Sequence, residues 1–357
     1  MANKTSQMNL LRDDELDPRE VRWRDRQPYL ESKGYMLRPR YRPGWTPSWY
    51  TTGKQPRRSE DGLKLPLRSL LVDATRISDG KLVYIKQVKT DDLESSIALV
   101  LSSPAMRSDS RNHSVPILDH FSDLEDTAIS YIVMPFLRNI NYPPMIKVVE
   151  VVDFVDQILE GLVFMHEQGV AHRDCATTNI LMDSSTMYPL GFHPIRQSCL
   201  PDGFTLATPL PRHDVGVTYY FIDYGISSYF PPGQPRGLVV GDFGRDQDVP
   251  ELSETVPYDP FAVDIFIIGN QLRLAFHEKY TNVGFLKPII DCATALDPAR
   301  RPSAQELLRF WSKRRKQISS LAKEWPLKER DQYAINVIRD CAGALHLVLR
   351  FLRSLFA

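Results

Sequence analysis

The chain has 357 residues, of which 43% are apolar and 25% charged, with 44 Lys and Arg set against 44 Asp and Glu. That length is enough for one large two-part domain or two smaller ones, and the balanced charge excludes the basic footprint expected of a nucleic-acid binder. Cys175, Cys199, Cys292 and Cys341 are scattered and form no C-x-x-C pair, so neither a zinc site nor a disulfide framework is expected, and a reducing compartment follows, the cytoplasm with the nucleus as alternative.

The first 62 residues are rich in Arg, Asp, Glu, Pro and Trp and carry no apolar signal core. The proline density of 38–49 argues against regular structure there, while its tryptophans argue for packing on a neighbour. Residues 54–62 read as a flexible surface loop. Strands are predicted over Ser69–Thr75 and Leu82–Val88, joined at Asp79-Gly80, because glycine permits the positive φ of a tight hairpin. A helix from Asp91 to Ser102 follows, with Ile97, Val100 and Leu101 on one face, then strands near 115–121 and 128–136. Residues 148–168 place Val152, Val155, Ile158, Leu159, Leu162 and Met165 at helical spacing, and Gly169 ends that helix. Residues 184–218 hold several prolines and no helical period, so a partly mobile loop is expected. The basic cluster Lys313-Arg314-Arg315-Lys316 reads as the solvated face of a helix. The apolar run 334–357 is broken by Arg339, Asp340, His346, Arg350 and Arg353; it falls short of the ~20 apolar residues that span a bilayer and is expected as an amphipathic helix.

The most informative stretch is His172-Arg173-Asp174-Cys175-Ala176-Thr177-Thr178-Asn179, of the form H-R-D-x-x-x-x-N. Around it stand Val83-Tyr84-Ile85-Lys86, Glu94 on the first predicted helix, Tyr131-Ile132-Val133-Met134-Pro135-Phe136-Leu137, Asp223-Tyr224-Gly225, Val249-Pro250-Glu251, Asp264-Ile265-Phe266-Ile267-Ile268-Gly269 and Asp297-Pro298-Ala299-Arg300-Arg301-Pro302. In this order, over roughly residues 66–315, they resemble the eukaryotic protein-kinase-like superfamily. The segments 23–41 and Gly44–Trp49 are similar to a divergent branch of that superfamily found in mushroom-forming (basidiomycete) fungi.

The resemblance implies an α+β, two-lobed protein-kinase-like fold, with a small β-rich N-lobe carrying one helix and a larger, mainly helical C-lobe. Its domains are an N-terminal extension (1–62), the N-lobe and hinge (63–137), the C-lobe (138–320) with the 184–218 insertion, and a C-terminal tail (321–357). It implies ATP and Mg2+ as cofactors. Lys86 would neutralise the α- and β-phosphates and Glu94 would position Lys86, with Asp91 and Asp92 as competing carboxylates. Met134, Pro135 and Leu137 would border adenine; the missing N–H of Pro135 is compatible because that position offers only its carbonyl. Asp174 would accept the substrate hydroxyl proton, and Asn179 with Asp223 would hold the metal. His172, Arg173, Glu251, Asp264 and Arg301 would be structural, Arg301 pairing with Glu251.

Asp242-Phe243-Gly244 is a second D-x-G candidate. Asp223 is preferred because it follows the apolar strand Thr218–Ile222 and leaves an activation segment of adequate length before Glu251. Two departures stand out. No glycine follows Gly62 where a phosphate-cradling loop should lie. Ala176 and Thr178 occupy the positions at which kinases carry a Lys or an Arg, so slow turnover is expected unless Thr178, Arg196 or Arg212 fills the place. The leading reading is an ATP-dependent protein kinase acting on a Ser or Thr hydroxyl of a protein substrate, with no nucleic-acid partner and no membrane span. The rivals are a pseudokinase that binds nucleotide as a scaffold, and a small-molecule kinase of the same fold.

Overall fold

The computed structural model describes residues 13–64, 70–332 and 335. The described chain forms two compact units. One gathers the described parts of 1–90 with 117–136 and 188–208, and the other 91–116, 137–187 and the described parts of 209–357. The first is built on a sheet and the second mainly on helices, a mixed α/β composition compatible with a two-lobed kinase-like fold. Expected helix 334–357 lies, apart from residue 335, outside the described residues, as do Cys341 and residues 65–69 of the glycine-free stretch after Gly62.

The sheet-centred unit contains helix α1 (Pro18–Ser32) and strands β1 (Tyr35–Leu37), β2 (Leu71–Arg76), β3 (Leu82–Lys89), β4 (Asp119–Ser122) and β5 (Ile129–Pro135). The strands form an antiparallel sheet in the order β1-β2-β3-β5-β4. Alternation along β2 and β3 sends Val72, Ala74, Val83 and Ile85 into one core with Tyr131 and Val133. Gly80 takes φ +70° in the β2–β3 turn, as the Asp79-Gly80 pair predicts.

The N-terminal extension is more regular than its proline content suggests. Asp17 and Glu20 form a reciprocal capping box and Pro18 sits at the first turn, so α1 starts firmly. Trp23, Gln27 and Leu30, spaced along one face, are buried, and the Gln27 Oε1 accepts the Leu37 N–H at 2.9 Å. Arg40 is fully buried and donates to both oxygens of Glu20 at 2.9 Å. The 54–62 stretch, expected to be a flexible loop, is instead two short 3-10 turns. A Cβ on Gly62 would lie 2.0 Å from the Pro56 carbonyl oxygen, so this turn closes tightly on itself. Residues 188–208 of the insertion belong to the same unit. Phe192 packs on Phe136 and Tyr188, His193 lies 3.3 Å from Glu60, and Arg196 donates to the Arg57 carbonyl at 2.7 Å.

α1 is pinned to the sheet by Asp123, which accepts from Arg26 at 2.8 Å and from the Tyr131 hydroxyl at 2.5 Å. Burial pushes the Asp123 carboxyl up, but the Tyr131 hydroxyl, the Glu125 and Asp126 amides and the Arg26 guanidinium outweigh it and bring the group down to about 2. A depressed folded value means that this stabilisation is complete above the unfolded carboxyl range and fades as pH falls from about 4 towards 2. Asp123→Asn is expected to cost about 1–3 kcal/mol at pH 7 and to flatten the acid limb. Urea melts of both proteins between pH 2 and 7 check this.

The helical unit contains α2 (Leu93–Leu101), α3 (Val148–Glu167), α4 (Pro260–Leu272), α5 (Lys287–Ala293) and α6 (Ala304–Arg315). α3 is the central element. Val151, Phe154, Val155, Ile158, Leu162 and Met165 are buried, and Gly169 at φ +75° ends the helix. On α6, Leu307 and Trp311 face inward while Lys313 and Arg315, with Lys316 just past the helix, are exposed, the expected solvated basic face. Short strands complete the unit: β6 (Arg138–Asn139), β7 (Val170–Ala171), β8 (Ile180–Asp183), β9 (Thr218–Phe221), β10 (Ser228–Tyr229), β11 (Val239–Gly241) and β12 (Ser253–Tyr258). They pair as β6-β8-β9, β7-β10 and β11-β12. Among the described residues no helix is long and apolar enough to cross a membrane.

Candidate functional site

The H-R-D-x-x-x-x-N stretch runs from β7 to β8 and lies wholly in the helical unit. Its backbone turns sharply: Arg173 takes φ +65°, a left-handed conformation unfavourable for a long side chain. Buried Asp264 on α4 holds the turn. One carboxylate oxygen accepts the His172 N–H at 2.7 Å and the other the Arg173 N–H at 2.6 Å, while His166 Nε2 lies 2.9 Å away. His172 is fully buried; its Nε2 lies 3.0 Å from the Ile222 carbonyl, and its ring is 5.4 Å from that of Tyr224.

Asp174 and Asn179 are brought together. The Asn179 Nδ2 donates to the Asp174 carbonyl at 2.9 Å and to its Oδ2 at 2.7 Å. With its nitrogen so engaged, the amide presents its oxygen as the remaining acceptor. The Ile222 N–H donates to the Asn179 carbonyl at 3.0 Å, which sets Asp223 beside the loop at the end of β9. Asp223 has φ +68°. A Cβ built on Gly225 would lie 3.6 Å from the Asp223 Oδ1 and 3.8 Å from the Glu94 Oε2, so the Glu94 and Asp223 carboxylates flank one glycine. Asp92, a competitor for the role of Glu94, is instead the α2 cap, accepting the Ser95 N–H at 2.7 Å. The aromatic of Asp223-Tyr224-Gly225 is buried, whereas Phe243 of Asp242-Phe243-Gly244 is 69% exposed. Asn179 and Asp223 together offer an amide oxygen and a carboxylate, hard ligands that suit a magnesium ion sharing its shell with phosphates and water. Among the described residues no three His, Cys, Asp or Glu side chains gather as a metal site on their own.

Lys86 lies on β3 of the sheet unit, opposite Ile132 of β5 and Leu71 of β2. In the same unit Met134 pairs with Tyr84 and Pro135 with Val83, and Phe136 stacks on Tyr84 at 4.3 Å. Leu137 is buried in the helical unit.

The segment from Asp223 to Glu251 is ordered by the loop itself. The Arg173 guanidinium donates to the Ile226 and Val240 carbonyls at 3.1 Å and to the Tyr258 hydroxyl at 2.8 Å. At the far end, Glu251 receives both terminal nitrogens of Arg301, at 2.5 and 2.8 Å. Cys175 is not a nucleophile: complete burial, with Asp264 and Asp174 nearby, pushes its thiol well up.

Both arginines considered for the missing cation have other partners. Arg196 donates to Gly203 and Arg57 carbonyls in the sheet unit. Arg212 is buried and donates to the Tyr219 hydroxyl and to the Ile140 and Pro143 carbonyls. A cation beside Asp174 is Arg245, which sequence reasoning missed. Its backbone N–H donates to the Asp174 Oδ1 at 2.7 Å, and its Nε lies 3.5 Å from Oδ2. The only signal available in the sequence is its place next to a glycine a few residues before Pro250-Glu251.

No family model matches the chain. It is 28% identical over 147 residues to MAP3K epsilon protein kinase 1 of Brassica napus, covering 39% of this chain and 10% of that protein. It is 28% identical over 113 residues to MAP3K epsilon protein kinase 2 of Arabidopsis thaliana, covering 29% and 8%. The matched region is therefore a small part of each of these much longer relatives. These partial similarities support a distant protein-kinase-like relationship.

Proposed function

We propose that the chain is a protein kinase that uses ATP and Mg2+ to phosphorylate a Ser or Thr hydroxyl of a protein, with the domains running 63–137 and 138–320 between an N-terminal extension and a C-terminal tail. The observation that carries this reading is the joined pair Asp174–Asn179 on a turn whose amides are held by buried Asp264. Such fixed geometry suits phosphoryl transfer, where positioning and charge neutralisation do most of the work. Asp174 orients the hydroxyl and takes its proton. The Asn179 amide oxygen and Asp223 would hold the metal, which when bound would neutralise phosphate charge. Lys86 meets the α- and β-phosphates and Glu94 fixes Lys86. Met134, Pro135 and Leu137 border adenine. Placement in a fungal branch rests on the 23–49 segment alone.

A nucleotide-binding scaffold without transfer is the second reading. It is favoured by the engagement of both Asp174 carboxylate oxygens, one by the Arg245 N–H and one by Asn179.

Mg-ATP is expected to raise the melting temperature of the wild type by mass action, and Lys86→Met and Asp223→Asn to reduce that rise. Asp174→Asn is expected to keep the rise while transfer of labelled phosphate to generic protein substrates falls about 10²–10⁴-fold. No melting shift with millimolar Mg-ATP would remove the nucleotide from the reading, and a shift without transfer would select the scaffold.

A further inference from the structure

The helical unit has no cation in its catalytic loop where one would meet a transferring phosphoryl group. Ala176 is buried and Thr178 is exposed and uncharged. Arg173 is turned away, its terminal nitrogens on Ile226, Val240 and Tyr258. Arg245 stands at the place instead, 71 residues along the chain from Asp174, with its Nε 3.5 Å from the Asp174 Oδ2.

Its backbone is fixed from both sides. The neighbouring Asp246 is buried and accepts the Asn270 Nδ2 at 2.8 Å with both oxygens and the Gln271 Nε2 at 3.2 Å. The same Gln271 accepts the Thr177 N–H at 3.2 Å and hydroxyl at 3.1 Å. The end of α4 thus holds the catalytic loop and the Arg245 segment together. Gly244, at φ +145°, brings the segment in: a Cβ there would lie 3.4 Å from the Arg173 carbonyl oxygen and 3.8 Å from the Asp174 Oδ1. A side chain at this φ is strained, so glycine is needed for the approach.

The guanidinium is about half exposed, and at 3.5 Å its bond to Asp174 adds little to stability. What the arrangement provides is a planar fork of five N–H donors beside a carboxylate and open to solvent, a shape matched to phosphoryl oxygens.

From this geometry we infer that Arg245 is the cation of the transfer site, supplied by the activation segment in place of the catalytic loop. The inference rests on the protein-kinase reading. In the step, the substrate hydroxyl oxygen bonds to the γ-phosphorus. The bond from that phosphorus to the β–γ bridging oxygen breaks and its electron pair leaves on ADP. The hydroxyl proton passes to Asp174. The Arg245 guanidinium binds the equatorial oxygens of the phosphoryl group in flight. The rate penalty expected from Ala176 is then offset.

The test compares the full-length wild type with Arg245→Gln and Arg245→Lys, after checking that all three melt alike. Calorimetry measures affinity for Mg-ADP alone and for Mg-ADP with aluminium fluoride, a mimic of the phosphoryl group in flight. Single-turnover transfer is measured beside it. The expected result is that Arg245→Gln leaves Mg-ADP affinity within about twofold, while the gain from aluminium fluoride and the transfer rate both fall by roughly 10²–10³. Arg245→Lys recovers part of each, since charge returns without the fork. An equal loss of Mg-ADP affinity overturns the inference, because the residue then serves ground-state nucleotide binding. Faster transfer in Arg245→Gln overturns it too, and makes the segment a cover over Asp174. A wild type that binds Mg-ADP but gains nothing from aluminium fluoride removes the cation role and leaves the scaffold. A wild type that binds no Mg-ADP overturns the kinase reading along with it.

Discussion

Glu251→Ala and Arg301→Ala are each expected to destabilise the helical unit by about 3–5 kcal/mol, the range for breaking one side of a buried ion pair. The Arg301 side chain is fully buried and Glu251 is 12% exposed. Removing Glu251 strands a buried guanidinium that still donates to the Ala262 carbonyl at 2.9 Å and the Ala295 carbonyl at 2.8 Å. Removing Arg301 strands a carboxylate, frees those two carbonyls and empties the space over the Phe266 ring, 4.8 Å from the guanidinium carbon. Arg301→Ala is therefore the worse of the two. The double variant leaves neither charge unpaired, so its cost should fall short of the sum by at least ~1 kcal/mol. Urea denaturation of the four proteins in a double-mutant cycle checks this, and strict additivity would mean that the two side chains do not share an interaction.

The second large effect is expected at Asp264. Asp264→Ala removes the acceptors of the His172 and Arg173 amides and the partner of His166 at once. Each orphaned buried donor costs about 1–3 kcal/mol, which makes a total of roughly 3–5 kcal/mol reasonable for the site. The Arg173 turn is left-handed and Asp264 accepts both of its leading amides, so it should relax when the carboxylate goes. Amide exchange at 171–175 should then quicken well beyond that of α3. Asp264→Asn keeps one acceptor but turns an N–H toward an amide donor, so it should fall between wild type and alanine. If exchange at the loop in Asp264→Ala matched the wild type, the carboxylate would not be what holds the turn.

Much of the local structure was legible along the chain. The Leu82–Val88 run, the apolar spacing of 148–168 and the stops at Gly80 and Gly169 encode β3, α3 and their ends through interactions between near neighbours. Helix α1 was not legible. Pro28 and a dense set of charges obscure its buried face, and only the sheet beneath Trp23 and Leu30 makes that face a core. The folded 54–62 turns and the insertion residues on them depend likewise on contacts such as His193–Glu60, 133 residues apart.

The same division runs through the candidate site. By itself the sequence determined the identity and spacing of the H-R-D-x-x-x-x-N residues and a strand leading to Asp223, because those relations are local and survive as a pattern of letters. Only the tertiary structure decided which distant groups complete them. Asp264 reaches the His172 amide across 92 positions and Arg301 reaches Glu251 across 50, partners that a known pattern can suggest but only folding can place. Arg245 is not part of any motif read from the sequence and only follows Gly244. It reaches Asp174 because Gly244 permits the approach and buried Asp246 anchors the next residue to Asn270 and Gln271. A charge's effect depends on its distance and burial rather than on its place in the chain, so the polar surroundings of Asp174 took shape only in three dimensions.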